Sequence, residues 1–276
     1  VIHGGRLAAA AHPARVISLI LSDVVGNPLD VIASGPTAPD PTTFGDALRT
    51  LDTYKLRTVV PAPIRHHLER GASGEEPESP KPGDSRLRSV RNIVVADNSH
   101  AAEAAVAAAR KRGFDALHVT SFIEGEAREF ARTLAGVARD IACHGRPVAR
   151  PGCAIFGGET TVTVSGSGTG GRSQEMALAA AIALHGIDQT AVMTLATDGS
   201  DGPTPAAGGI VDGCSLDRAR HAGVRAESAL VHNDSNAFLK AAGDLIVTGP
   251  TYTNVNAACF NTSRDDEIQL TNGNDF

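Results

Sequence analysis

Four stretches of this chain set charged or hydroxyl-bearing residues beside glycines, in patterns suited to holding an anion or a hard cation. The longest is GGETTVTVSGSGTGGRSQE, residues 157–175. Its Gly166, Gly168, Gly170 and Gly171 would let the backbone curl until its N–H groups point inward, and a following helix would add positive potential there. Arg172 supplies a fixed cation whose fork fits phosphate or carboxylate. Gly166 to Ser173 nearly spells the phosphate-binding P-loop, with Arg172 in the lysine position. We read that near-match as shared physics, with a structural glycine turn as the alternative. In ATDGSDGP, 196–203, Asp198 and Asp201 are hard oxygen ligands suited to Mg²⁺ or to a substrate hydroxyl. The alternative is an Asx-type turn. Asp23 in LSDVVG is a strand-end carboxylate that alone reads more often as a turn residue. In TGPTYTNVN, 248–256, Thr251 and Asn254 offer small polar contacts to an anion or nucleotide. Glu159 divides evenly between a ligand and a satisfied turn carboxylate.

These loops need elements to hold them. VISLIL at 16–21 is a short apolar run broken by Asp, Gly and Pro, which predicts a buried strand. Residues 44–57 read as helix. Residues 72–88 are polar and proline-punctuated, so 73–88 is expected to be a linker or mobile loop. From 89 onward the pattern alternates. Strands are predicted at 93–96, 115–120, 153–156, 161–164, 191–196 and 244–248. Helices are predicted at 100–112, capped by Ser99, at 124–144, stopped by Gly145, and at 174–185, 215–222 and 235–242. Strands alternating with helices predict βαβ units and a largely parallel sheet, with ligands beyond the strands' carboxyl ends. We therefore expect a two-domain, Rossmann-like α/β protein with parallel or mixed sheets flanked by helices. Residues 1–72 would be the remainder of an incomplete N-terminal domain, and 89–276 a C-terminal α/β domain. The chain opens on Val1 inside what reads as an element, so an upstream segment is expected.

Composition bounds the partners. Hydrophobic residues make up 42% of the 276, enough for a real core, while aromatics make up only 4%, so that core must be aliphatic. The formal net charge of −6 argues against nucleic acid as the main partner. No apolar run approaches the roughly 18 residues of a membrane span, and no signal peptide is visible, so a cytoplasmic protein is expected. Cys143, Cys153, Cys214 and Cys259 are widely spaced and read as free thiols.

Taken together, GGETTVTV, GGRSQEMAL, TDGSDGPTPAAGGIVDG, HNDSNAF and TGPTYTNVN resemble, in order and spacing, the C-terminal MOFRL region of type-2 glycerate kinases. GGRLAAAAHPARVISLILSDVVGNPLDVIASGPTAPDPTT resembles the end of that family's N-terminal domain. The resemblance implies an enzyme with its active site in an interdomain cleft, transferring a phosphoryl group from ATP, with Mg²⁺, to glycerate. The products would be 2-phosphoglycerate and ADP, and the assembly could be a homo-oligomer. It also implies that Asp23, Glu159, Arg172 and Asp198 are the polar active-site residues, with Asp23 acting from the facing domain. Three departures stand out. The family's catalytic lysine segment, of G-x-G-K type, is not in this chain. His3 stands where a lysine usually precedes paired glycines. The residues after TNVN do not follow the family pattern. These departures favour, as an alternative for this chain, a non-catalytic remnant that keeps anion or nucleotide binding. A hydroxypyruvate reductase has less support, because no G-x-G-x-x-G follows a strand with a ribose-binding acid downstream.

Overall fold

The computed structural model describes residues 2–263, and the side chains of residues 2–257. The chain divides into two compact units. The first holds the chain up to Ile20 and Asn27–Val95; the second holds Leu21–Gly26 and the described chain from Ala96 on. The short segment around Asp23 groups with the second unit.

In the first unit, β1 (Val16–Leu21) pairs with β2 (Val90–Ala96) in a two-stranded sheet. The Ser18 hydroxyl donates to Thr37 Oγ1 and Thr37 donates to Asn92 Oδ1, which ties both strands to one loop. Helix α1 (Arg6–Ala11) precedes β1. Helix α2 (Phe44–Thr53) opens on a capping box of Thr43 and Asp46 and ends four residues earlier than the sequence suggested. Helix α3 (Ala62–Ala72) packs on α2. Residues 73–88 do not read as a linker in the structure. Glu78 accepts the Phe44 N–H, Ser79 donates to Asp40, and Lys81 reaches the Thr42 carbonyl. Their polarity reflects these bonds to residues 40–44.

The second unit is built on a six-stranded sheet in the order β3-β4-β8-β5-β6-β7. Its strands are β3 (Asp115–Ile123), β4 (Gly152–Gly158), β5 (Thr190–Ala196), β6 (Gly208–Asp212), β7 (Leu245–Ile246) and β8 (Ala257–Ser263). The α/β class holds, but the sheet is mixed rather than largely parallel. Among the described strands of this sheet only β3 and β4 pair in parallel; the other pairings in it are antiparallel. The cause is β8, which inserts antiparallel between β4 and β5, its Ala257 opposite both Gly158 and Ala196. Strands β6 and β8 were not anticipated. The atypical tail from 264 onward and the Cys259 thiol lie outside the described residues.

β4 is buried along its whole length. Ala154 and Phe156 face a core formed with α5 (Ala127–His144) and α6 (Arg172–Leu184), while Cys153 and Ile155 face α4 (Asn98–Lys111). Helices therefore cover both faces of this strand. Alternation of side chains forces that split, since successive residues point to opposite sides. The aromatic-poor composition finds its use here: Ala127, Ala131, Ala135 and Ala138 give α5 a smooth face for close packing on α6. Helix α4 is capped by Asp97, whose carboxylate accepts the His100 N–H, and not by Ser99. Residues 161–164 are not a strand; the pattern leaves a single bridge from Thr161 to Glu126. Three short helices, α7 (Ser215–His221), α8 (Ala226–Val231) and α9 (Ser235–Ala242), complete the unit.

Candidate active site

Two hollows in the second unit share one side chain, Asp198. The larger, about 720 Å³, is lined by Thr160, Gly168, Gly170, Gly171, Arg172, Asp198 and Asp201 among others. The smaller, about 400 Å³, is lined by Leu21, Asp23, Asp198, Pro250, Tyr252, Thr253 and Asn254. The strands explain this placement. β4 ends at Gly158 and delivers Glu159. Its neighbour two strands over, β5, ends at Ala196 and delivers Asp198 from the same edge. That edge is the carboxyl end, where open α/β sheets leave side chains free to meet a ligand.

Arg172 is the first residue of α6, and its Nη1 donates to Glu159 Oε1 at 2.6 Å. The guanidinium Nε is buried without a hydrogen-bond partner among the described residues. One arm of the fork is thus held by Glu159 beside the hollow. Glu159 itself is not among the residues lining it. Asp198 accepts the Ser200 N–H at 3.0 Å through Oδ1, and its backbone carbonyl accepts from Thr251. Asp23 accepts from the Asn254 side-chain amide at 3.2 Å.

Asp201 is a correction. The sequence suggests a metal ligand, but the structure makes it a buried cap on α6. Oδ1 accepts the Ser173 N–H, and Oδ2 accepts both the backbone and side-chain N–H of Gln174. It is 3% exposed. Burial pushes its carboxyl above the usual carboxylate range, and the bonds from Gln174 and Ser173 offset part of that rise. Ser173 is likewise buried, its hydroxyl without a partner among the described residues, and it lines neither hollow. Thr251 spends its hydroxyl on the Thr197 carbonyl at 2.6 Å and does not line either hollow.

The glycines are needed for a reason other than the one the sequence suggested. None of the four from 166 to 171 adopts a left-handed backbone. Each is crowded instead: a Cβ on Gly168 would sit 2.4 Å from Asp234 Cβ, and one on Gly171 would sit 2.4 Å from Asp201 Cγ. The loop lies against residues 232–235, which take up its N–H groups. Asn233 accepts from Ser165 and Gly166, the His232 carbonyl from Gly168, and Asp234 from Thr169. That leaves the N–H groups of Ser167, Gly170, Gly171 and Arg172 without an acceptor among the described residues. The cradle is therefore shorter than predicted and centres on the last glycine pair and the start of α6.

Sequence reasoning missed the polar frame behind this loop. Glu175 is 2% exposed, paired with Arg128 of α5 at 2.7 Å, and accepts from Asn233 at 2.9 Å. Gln174 is fully buried, bonding Asp201, Thr204 and Asn236. The signal was present: QE opens the run MALAAAIAL, and α6 is buried on nearly every side. Polar residues on such a helix require partners. Among the described residues no group of three or more His, Cys, Asp or Glu can hold a metal unaided.

Residues 152–257 match the model of the MOFRL family, and residues 1–69 match a domain of unknown function, DUF4147. A glycerate 2-kinase of Pyrococcus horikoshii is 43% identical over 93% of this chain and 57% of its own length. A glycerate kinase of Macaca fascicularis is 35% identical, and the match covers 92% of this chain and 74% of that protein. The chain belongs to the glycerate kinase family. The crystal structure of the Thermotoga maritima glycerate kinase superposes with a TM-score of 0.82 at 40% identity, over 95% of this chain and 60% of that one. The chain thus spans somewhat more than half the length of the first relatives it matches. Within it, the MOFRL match runs from the start of β4 to Ala257, which takes in the glycine loop, Arg172 and Asp198.

Proposed function

We propose that this protein acts in ATP-dependent phosphoryl transfer to D-glycerate, giving 2-phosphoglycerate and ADP. The observation that carries the reading is Arg172: a cation at a helix start, next to N–H groups without an acceptor among the described residues, lining one hollow together with Asp198. Phosphoryl transfer needs little covalent chemistry from a protein. It needs reactants in line and charge neutralised where it develops. Arg172 and the Gly170–Arg172 amides would hold anionic oxygens, either phosphoryl or the glycerate carboxylate. Glu159 would keep the Arg172 fork in one orientation through its 2.6 Å bond. Asp198 would accept a proton from the glycerate hydroxyl, or hold Mg²⁺ together with phosphate oxygens. Mg²⁺ commonly takes only one or two carboxylates from the protein, so Asp198 fits that donor set, and Asp201, with both oxygens committed to α6, does not. Bound Mg²⁺ would neutralise phosphate charge. Asp23 and Asn254 would contact the substrate from the adjoining hollow.

A hydride-transfer reading lacks a dinucleotide fingerprint in the sequence. The test is direct. The purified chain is given ATP, Mg²⁺ and D-glycerate, with ADP release and product identity followed. A parallel reaction contains hydroxypyruvate and NADH. ADP release with 2-phosphoglycerate supports the reading; NADH oxidation without it overturns the reading. Asp198→Asn then separates the two roles of that carboxylate. A shifted Mg²⁺ dependence marks a metal ligand, and a lower kcat at unchanged Mg²⁺ dependence marks a hydroxyl-orienting group.

A further inference from the structure

Asn233 sits between α8 and α9 at the back of the glycine loop, with a left-handed backbone (φ 54°) and 6% exposure. Both ends of its side-chain amide are in use. Oδ1 accepts two consecutive loop N–H groups, Ser165 at 2.8 Å and Gly166 at 2.9 Å. Nδ2 donates to Glu175 Oε2 at 2.9 Å and to the Thr163 carbonyl at 3.3 Å. Glu175 in turn has Oε1 bound by Arg128 Nε at 2.8 Å. The chain of bonds therefore runs from α5 through α6 to the loop: guanidinium, carboxylate, amide, backbone.

The chemistry of each link admits few replacements. Two N–H groups demand an acceptor, and the Glu175 carboxylate demands a donor. A short side chain with an acceptor on one side and a donor on the other is an amide. An aspartate would keep the acceptor but set a second carboxylate against Glu175. Arg128 would then have two carboxylates to neutralise rather than one. The neighbours of Asn233 reinforce its hold on the loop. The His232 carbonyl takes the Gly168 N–H, and Asp234 takes that of Thr169. By consuming the N–H groups of Ser165 to Thr169, save Ser167, this segment fixes which amides stay open for a ligand.

We propose that Asn233 is the positioning residue that shapes the 165–171 loop around an anionic oxygen, with Glu175 and Arg128 fixing the orientation of its amide. The proposal rests on the kinase reading above. The ligand chemistry is a phosphoryl or carboxylate oxygen, supplied by the nucleotide or by glycerate. Asn233 lines the larger hollow, but its polar atoms are committed to protein groups, so it acts through the loop and not on the substrate.

The test uses the full chain with Asn233→Ala and Asn233→Asp. Three quantities are measured: amide hydrogen exchange at Ser165 and Gly166, affinity for ADP and for D-glycerate by calorimetry, and kcat and KM for ADP formation. Asn233→Ala should speed exchange at both amides and weaken one ligand by about tenfold to a hundredfold, the scale expected for loop misplacement near an angstrom. Loss confined to ADP assigns the loop to phosphoryl oxygens; loss confined to glycerate assigns it to the carboxylate. Asn233→Asp should regain affinity as pH falls, because the introduced carboxyl, once protonated, can again donate to Glu175. The other charged groups nearby are Arg128, Asp201, Asp234 and His232, and all are unchanged in that variant. A merely structural residue would lower stability without that acid rescue or the selective loss of one ligand. Unchanged exchange in Asn233→Ala, or faster exchange with unaltered ligand affinity, overturns the proposal alone. A wild-type chain that binds neither ligand overturns the kinase reading and the proposal with it.

Discussion

The loop at 165–175 and the loop at 248–254 looked alike in sequence, both rich in glycine, threonine and small polar residues, yet they are held in opposite ways. The first is backed by buried groups: Asp201, Gln174, Glu175 and Asn233 are each less than a tenth exposed. The second is mostly exposed and is tied by solvent-accessible bonds, Thr251 to the Thr197 and Thr253 carbonyls. Burial raises the energy at stake in every polar contact, because a lost partner cannot be replaced by water. So the same residue types are framework in one loop and surface in the other. The lesson concerns assignment. A polar residue in a glycine-rich loop is a ligand contact only after its bonds to the protein have been counted. On that count Asp201, with both oxygens committed, leaves the candidate contacts, while Arg172 and Asp198 remain candidates.

The largest effect should come from the buried frame. Glu175→Ala leaves the Asn233 amide and the Arg128 guanidinium without their shared acceptor. Breaking a buried pair from one side typically costs about 3–5 kcal/mol. Denaturant unfolding should show that loss as a lower midpoint at unchanged slope. A cost below about 1 kcal/mol would mean the frame is no better held than the surface loop.

Arg172 comes next. Arg172→Ala should leave the fold intact and reduce kcat/KM by roughly 10²–10³, the usual cost of one preorganised charge at a transferring phosphoryl. Arg172→Lys should restore little, since lysine lacks the fork that Glu159 holds. Near-normal kcat/KM in Arg172→Ala would return Arg172 to the framework.

How much of this was legible varies with the physics involved. β4, β5 and α6 were readable because their apolar runs are continuous, and α5 because its period and Gly145 stop agree. Strand β8 was not, because nothing local to residues 257–263 shows that they insert between β4 and β5. The alternation in TVTV suggested a strand where only one bridge forms, since no partner strand runs beside it. The glycine cluster was legible as a site of close approach. Its cause was not, because residues 232–235 lie some 60 positions away in sequence. The candidate side chains at strand ends could be picked out in sequence; their buried partners could not, because burial belongs to tertiary structure.

Asp201 offers a test of intermediate size. Asp201→Asn keeps one acceptor and loses the second, leaving at least one α6 N–H group unpaired, at about 1–3 kcal/mol. The sign with pH is fixed by the direction of its shift. Burial raises the folded value above 3.8, so this group's contribution to stability is full below about 3.8 and falls as pH rises through the folded value. The asparagine does not titrate. The gap between wild type and Asp201→Asn should therefore be widest below about pH 3.8 and narrow as pH rises through the folded value. A gap that widens toward neutral pH would mean that the hydrogen bonds outweigh burial.

The smallest effect belongs to the exposed loop, and it is the sharpest check on the comparison. Thr251 donates to the Thr197 carbonyl, and its N–H reaches the Asp198 carbonyl at 3.2 Å, so it links the 248–254 loop to the aspartate loop. Thr251→Val keeps the β-branch and removes only the hydroxyl. The backbone bond to Asp198 survives, and the Thr197 carbonyl can turn to water because the site is exposed. The net worth of such a bond is about 0.5–1.5 kcal/mol, and solvent access puts this one at the low end. The melting temperature should fall by roughly 2 °C or less, and ADP affinity should change by less than about threefold. If Thr251→Val instead weakens ADP tenfold with the same small loss of stability, the hydroxyl meets the nucleotide directly. Exposure would then mark the binding loop and burial only its support.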